Sequence, residues 1–107
     1  MRIVARRTLD QFVASVAGQM DHLSVKKAID TWFFEVKKAE WTNSADIRNT
    51  FATASITSAE RVVFNIRGNS YRLVATVNFR LQTVWIKWIG THRDYDKIDV
   101  KEIQYGQ

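Results

Sequence analysis

Residues 61–79 read Arg61-Val-Val-Phe-Asn-Ile-Arg67-Gly-Asn-Ser-Tyr71-Arg72-Leu-Val-Ala-Thr-Val-Asn-Phe79. Two runs of β-branched and aromatic residues flank Arg67-Gly-Asn-Ser70. Glycine and asparagine readily take positive φ, so this spacing predicts a hairpin. Alternation divides the second strand: Tyr71, Leu73, Ala75, Val77 and Phe79 point one way, and Arg72, Val74, Thr76 and Asn78 the other. A third strand, Thr83-Val-Trp-Ile-Lys-Trp-Ile89, extends the meander, with Lys87 on its less apolar face. One face is apolar enough to be covered by helices. The opposite face is partly basic.

The chain before residue 61 supplies the helices. Arg2 to Arg6 reads as a short strand. Thr8, with Gln11 three residues on, predicts a capping box, and Leu9, Phe12, Val13 and Val16 follow at helical spacing. Gly18 is expected to end that helix. Ser24 is expected to cap a second helix, whose apolar stripe is Val25, Ala28, Ile29, Trp32, Phe33 and Val36. Trp32 and Phe33 read as core anchors, and Trp41 extends the anchor past the helix end. Asn43 or Ser44 caps a short third helix around Asp46-Ile47, and Ala52 to Glu60 reads as an irregular connection. With no linker or repeat, residues 1–107 are expected to form a single domain of α+β class.

Five basic residues (Arg61, Arg67, Arg72, Arg80, Lys87) and no acidic one lie between Arg61 and Gly90, so the net charge of +5 resides in the predicted sheet. A pI near 9.8 suits an acidic partner such as nucleic acid. The absence of cysteine excludes disulfides, a thiol nucleophile and cysteine-based metal sites. Two well-separated histidines, His22 and His92, argue against a histidine-rich metal centre. No apolar run is long enough for a membrane span and no signal-peptide core follows the basic start, so a cytoplasmic location is expected.

The third strand runs into Thr91-His-Arg-Asp-Tyr95-Asp-Lys97. Thr91 and Asp94 have the spacing of a helix start, and a helical turn there sets His92, Tyr95 and Asp96 on one face. Histidine is the side chain suited to proton transfer near neutral pH. Cutting RNA at a 2′-hydroxyl takes a base, cations on the phosphate and an acid for the leaving oxygen. Arg72, Lys87, Arg67 and Arg61 offer the cations, and Tyr95 offers a ring for an unpaired base. The same residues admit plainer readings. His92 and Asp96 also fit a surface i, i+4 pair, and Lys87 a solvated strand lysine.

The hairpin sequence followed by Gly90-Thr-His-x-x-Tyr95-Asp-Lys resembles the HigB-type toxins of bacterial toxin–antitoxin systems, within the RelE superfamily. Arg2-Ile-Val-Ala-Arg6, the Trp32 to Trp41 segment and Asp46-Ile47 carry the resemblance across nearly the whole chain. It implies a RelE-like fold: a small antiparallel sheet with N-terminal helices on one face and a basic open face. It also implies an endoribonuclease acting on mRNA at the ribosome without a metal or other cofactor, and neutralised by a HigA-like helix-turn-helix antitoxin. By motif match, Arg72 and Lys87 are the phosphate contacts, His92 the acid–base group, Tyr95 the stacking or hydrogen-bonding partner and Asp96 the orienting group, while Asn69 shapes the turn. Two positions depart from the pattern: no proline enters the third helix, and Ser70 stands where a basic residue is frequent. The alternatives are a non-catalytic RNA- or ribosome-binding module using the same face, and an interaction protein whose basic face receives an acidic partner.

Overall fold

The computed structural model describes residues 1–57, 61–100 and 103. Among these, the elements run β1 (Arg2–Val4), α1 (Arg6–Ser15), α2 (His22–Lys38), α3 (Ser44–Thr50), β2 (Ser55–Ile56), β3 (Arg61–Ile66), β4 (Tyr71–Asn78), β5 (Thr83–Thr91) and α4 (His92–Tyr95). The fold is α+β. The strands form one sheet in the order β1-β5-β4-β3-β2. β2 to β5 pair antiparallel as expected from the meander, whereas β1 lies parallel to β5, so the sheet is mixed. Parallel pairing follows from the path of the chain, because α1 to α3 and the meander separate β1 from its partner.

The helix side of the sheet is apolar, as the alternation requires. Tyr71, Leu73, Ala75 and Val77 of β4 meet Val62, Phe64 and Ile66 of β3 and Val84, Ile86 and Ile89 of β5 in one core. Val25, Ile29, Trp32 and Val36 bury the inner stripe of α2. Phe64 is the hub of an aromatic cluster, with ring centroids 5.3 Å from Trp32, 5.2 Å from Phe51 and 6.4 Å from Trp41. The rings of Trp32 and Phe51 meet it edge-on and that of Trp41 is stacked, and such pairs contribute about 0.5–1.5 kcal/mol each beyond their burial. No helix among the described residues is long and apolar enough to cross a membrane.

Local signals were less dependable than the periodicity. Ala5, in the left-handed region at φ 70°, turns the chain from β1 straight into α1, which begins at Arg6 with no side-chain cap. Thr8 is therefore inside the first turn, and its buried hydroxyl has no partner among the described residues. α1 ends at Ser15, leaving Gly18 in the turn beyond. α2 begins at His22, two residues before Ser24, whose hydroxyl instead donates to the Asp21 carbonyl at 2.9 Å. For α3 the expected cap is present: Asn43 Oδ1 accepts from the Asp46 N–H at 3.1 Å. β2 occupies part of the stretch read as irregular, and residues 58–60 of that stretch lie outside the described residues.

Candidate active site on the sheet face opposite the helices

Hairpin pairing builds the site. Ile66 pairs with Tyr71 across the turn, which sets Asn65 beside Arg72, and Arg72 beside Gly90 of β5. The turn takes positive φ at Arg67 (53°) and Gly68 (63°). Its Ser70 carbonyl accepts the His92 N–H at 3.0 Å, which ties the start of α4 to the hairpin. Thr91 caps α4, its hydroxyl accepting from the Asp94 N–H at 3.0 Å. His92 is thereby held over the end of β4, on the face away from α1 and α2.

Arg72 connects the parts. One of its terminal nitrogens donates to Asn65 Oδ1, and the other lies 3.0 Å from His92 Nδ1. A guanidinium only donates, so Nδ1 is the acceptor and a neutral imidazole carries its proton on Nε2. Nε2 lies 3.5 Å from Asp96 Oδ2, whose side chain is 64% exposed. An ion pair so long and so wet contributes little. Arg72, rather than Asp96, fixes the imidazole. The Tyr95 ring sits under the guanidinium at 5.6 Å and 6.3 Å from the Trp88 ring. The buried Arg72 Nε has no partner among the described residues.

A bulge in β5 shapes the rest of the face. Val74 pairs with Trp88 and Ala75 with Ile86, so Lys87 is an extra residue without a partner in β4. Bulges of this kind re-aim side chains. Lys87 and Trp88 consequently follow one another on the same face. The Trp88 ring folds over Gly90, where an added Cβ would come within 2.5 Å of it. Burial, reinforced by the charge of Arg61, lowers the Lys87 pKa below the usual lysine value. A cation already desolvated gives up less water on meeting a phosphate.

Of the seven residues singled out from sequence, Arg72, His92, Tyr95 and Asp96 come together. Lys87 shares their face, further along β5. Arg61 is also on that face but only 7% exposed, its guanidinium donating to the Ile103 carbonyl. Arg67 turns to the helix side of the hairpin. Its Nε donates to Ser24 Oγ at 2.8 Å, and a terminal nitrogen lies 3.7 Å from Asp21, the carboxylate that also accepts the Tyr71 hydroxyl at 2.7 Å. The face is not bare: Val63 and Val74 on it are buried although neither belongs to the helix-side core. Asn65, Trp88 and Gly90 escaped the sequence reading. Counting back across the hairpin would have found Asn65, but nothing in the sequence announces the bulge.

The family model of HigB toxins, the RelE-like toxic component of a toxin–antitoxin system, matches residues 25–98. The chain belongs to that family. The toxin's matched span includes α2 from Val25 onward, the whole meander and α4, and with them all seven candidate residues. β1 and α1 precede it, yet β1 hydrogen-bonds to β5 and Leu9 of α1 is in the core. Membership makes this chain the toxic half of a two-component system and implies an antitoxin as its partner. No curated protein matches the chain.

Proposed function

We propose that this toxin is an endoribonuclease that arrests translation by cutting mRNA on the ribosome, without a metal, with Arg72, His92, Tyr95 and Asp96 at the reacting phosphate. The observation that carries the reading is the contact between Arg72 and His92 Nδ1, which brings a phosphate-binding cation and a proton carrier to one point. The phosphate draws the guanidinium onto its oxygens, freeing the Nδ1 lone pair. Nδ1 takes the proton of the 2′-hydroxyl, the 2′-oxygen attacks phosphorus, and the bond from phosphorus to the 5′-oxygen breaks. The imidazolium returns a proton to the departing oxygen, leaving a 2′,3′-cyclic phosphate and a 5′-hydroxyl. Asp96, 3.5 Å from Nε2 and largely solvated, adds only a weak pull on the imidazolium, Lys87 adds charge beside the strand, and Tyr95 stacks on a base. A positioned acid or base of this kind contributes ~10²–10⁴ in rate.

The partner that silences it is, in this reading, a HigA-like helix-turn-helix antitoxin, and both work in the cytoplasm. Residues 1–107 act as one domain, a reading that the incorporation of β1 and α1 into the shared sheet and core supports. The test is to induce wild type, His92→Ala and Arg72→Ala and map the 5′ ends of cellular messages. New 5′-hydroxyl ends with wild type only, and growth arrest relieved in both variants, are expected. Arrest and cleavage persisting in both variants would overturn the assignment. One observation favours a non-cleaving RNA binder: the lone pair needed for catalysis is engaged by Arg72 in the free protein. That reading predicts bound RNA and no new ends, with or without ribosomes.

A further inference from the structure

Trp85 does not fit the plan of its strand. Its neighbours Val84 and Ile86 are in the core, while Trp85 itself is 49% exposed on the opposite face. A single exposed aromatic is ordinary, so its surroundings decide its meaning. The ammonium of Lys87 sits 4.2 Å from the ring centroid. The ring also borders a groove of about 610 Å³, lined further by Arg2, Val4, Thr76, Asn78 and Leu81. Leu81 is itself exposed, and none of the groove's lining residues is acidic. An aromatic platform in a groove with cations beside it is what single-stranded nucleic acid uses: bases stack on the ring and the backbone follows the charge.

Position strengthens the case. Trp85 pairs with Thr76, and Arg72 is four residues away on the same face of β4, a span of roughly 13 Å at the rise of a strand. A few nucleotides cover that distance. Lys87 and Trp88 lie between, so the face is continuous from the groove to His92.

We propose that the Trp85 groove is a base-stacking subsite for single-stranded RNA, holding a nucleotide a short way along the strand from the one that reaches Arg72 and His92. The proposal rests on the reading that the toxin acts on RNA. The subsite sets where along the message the strand is gripped, and so separates gripping from cutting.

Binding of a short fluorescein-labelled RNA with 2′-O-methyl riboses, which lack the attacking hydroxyl, tests it by anisotropy. Trp85→Ala weakens binding about tenfold or more, as expected when one base loses its aromatic partner, and Trp85→Phe stays within about threefold of wild type. With wild-type protein, an abasic nucleotide moved along the strand weakens binding at one position, and that penalty disappears in Trp85→Ala. The abasic series on wild type decides the matter even if Trp85→Ala melts early: equal affinity at every position overturns the subsite. Unchanged binding by Trp85→Ala, or no binding by wild type, also overturns it. So does a variant that keeps RNA and loses only the antitoxin, which makes the groove a protein surface. Message cleavage lost in His92→Ala upholds the ribonuclease reading independently of each of these results.

Discussion

His92 touches the Arg72 guanidinium on one side and faces a solvated carboxylate on the other, so removing it is expected to affect chemistry far more than folding. His92→Ala is expected to lower message cleavage by ~10²–10⁴ while its thermal midpoint stays near wild type, which in vitro cleavage and a melt on the same preparation check together. Arg72→Lys keeps the charge but loses the fork that reaches Asn65 and His92 at once. Cleavage is expected to fall at least about tenfold while RNA affinity declines much less. Tyr71 supplies a different test. Burial, and then the bond to Asp21, raise its pKa above the usual tyrosine value. Its stabilising bond is therefore present in full below the unfolded pKa near 10 and lost as pH climbs through the higher folded value. Tyr71→Phe is expected to cost about 1.5 kcal/mol at pH 8, and urea titrations should show the gap to wild type closing above about pH 10. That Arg72 and His92 belong to neighbouring elements was legible from sequence, because an arginine in a strand and a histidine at a helix start are local features. Arg67 was not, because its direction depends on Asp21 and Ser24, more than forty residues away.

At the scale of elements, strands and helix faces were readable because burial imposes a period, and Val25, Ile29, Trp32 and Val36 obey it. Helix starts were less so. A left-handed Ala5 does what Thr8 was expected to do, and no rule of cap chemistry selects alanine for that conformation. The bulge at Lys87 was likewise silent, since one extra residue in an apolar run leaves no compositional trace. Its structural partner is Gly90, which provides the floor for the Trp88 ring. Gly90→Ala forces that ring away from its seat, at a cost of about 1–3 kcal/mol. Because Trp88 also adjoins Tyr95, the variant is expected to lose cleavage activity as well as stability. Thermal melts and cleavage assays on the same protein read both effects.

For the molecule as a whole, the basic residues of the meander are put to uneven use. Of the five basic residues between Arg61 and Gly90, Arg61 is spent on a backbone carbonyl, Arg67 on Ser24 and Asp21 at the start of α2, and Arg80 lies exposed in the turn after β4, leaving Arg72 and Lys87 as the meander's cations on the proposed RNA face. RNA affinity should therefore respond to Lys87 more than to net charge. Lys87→Gln is expected to weaken binding and reduce the slope of log affinity against log salt by about one. It is not expected to lower stability. With its folded pKa depressed, Lys87 makes the fold gain stability as pH rises through that value toward the unfolded one, and the substitution should flatten that rise in alkaline melts. Lys87 has no partner in β4, while Ile86 and Trp88 on either side of it keep theirs. Loss of its single codon would leave every pairing of β5 intact and remove the ammonium. An in-frame deletion of this one residue would thus thin the charge of the sheet face while sparing the ladder between β4 and β5.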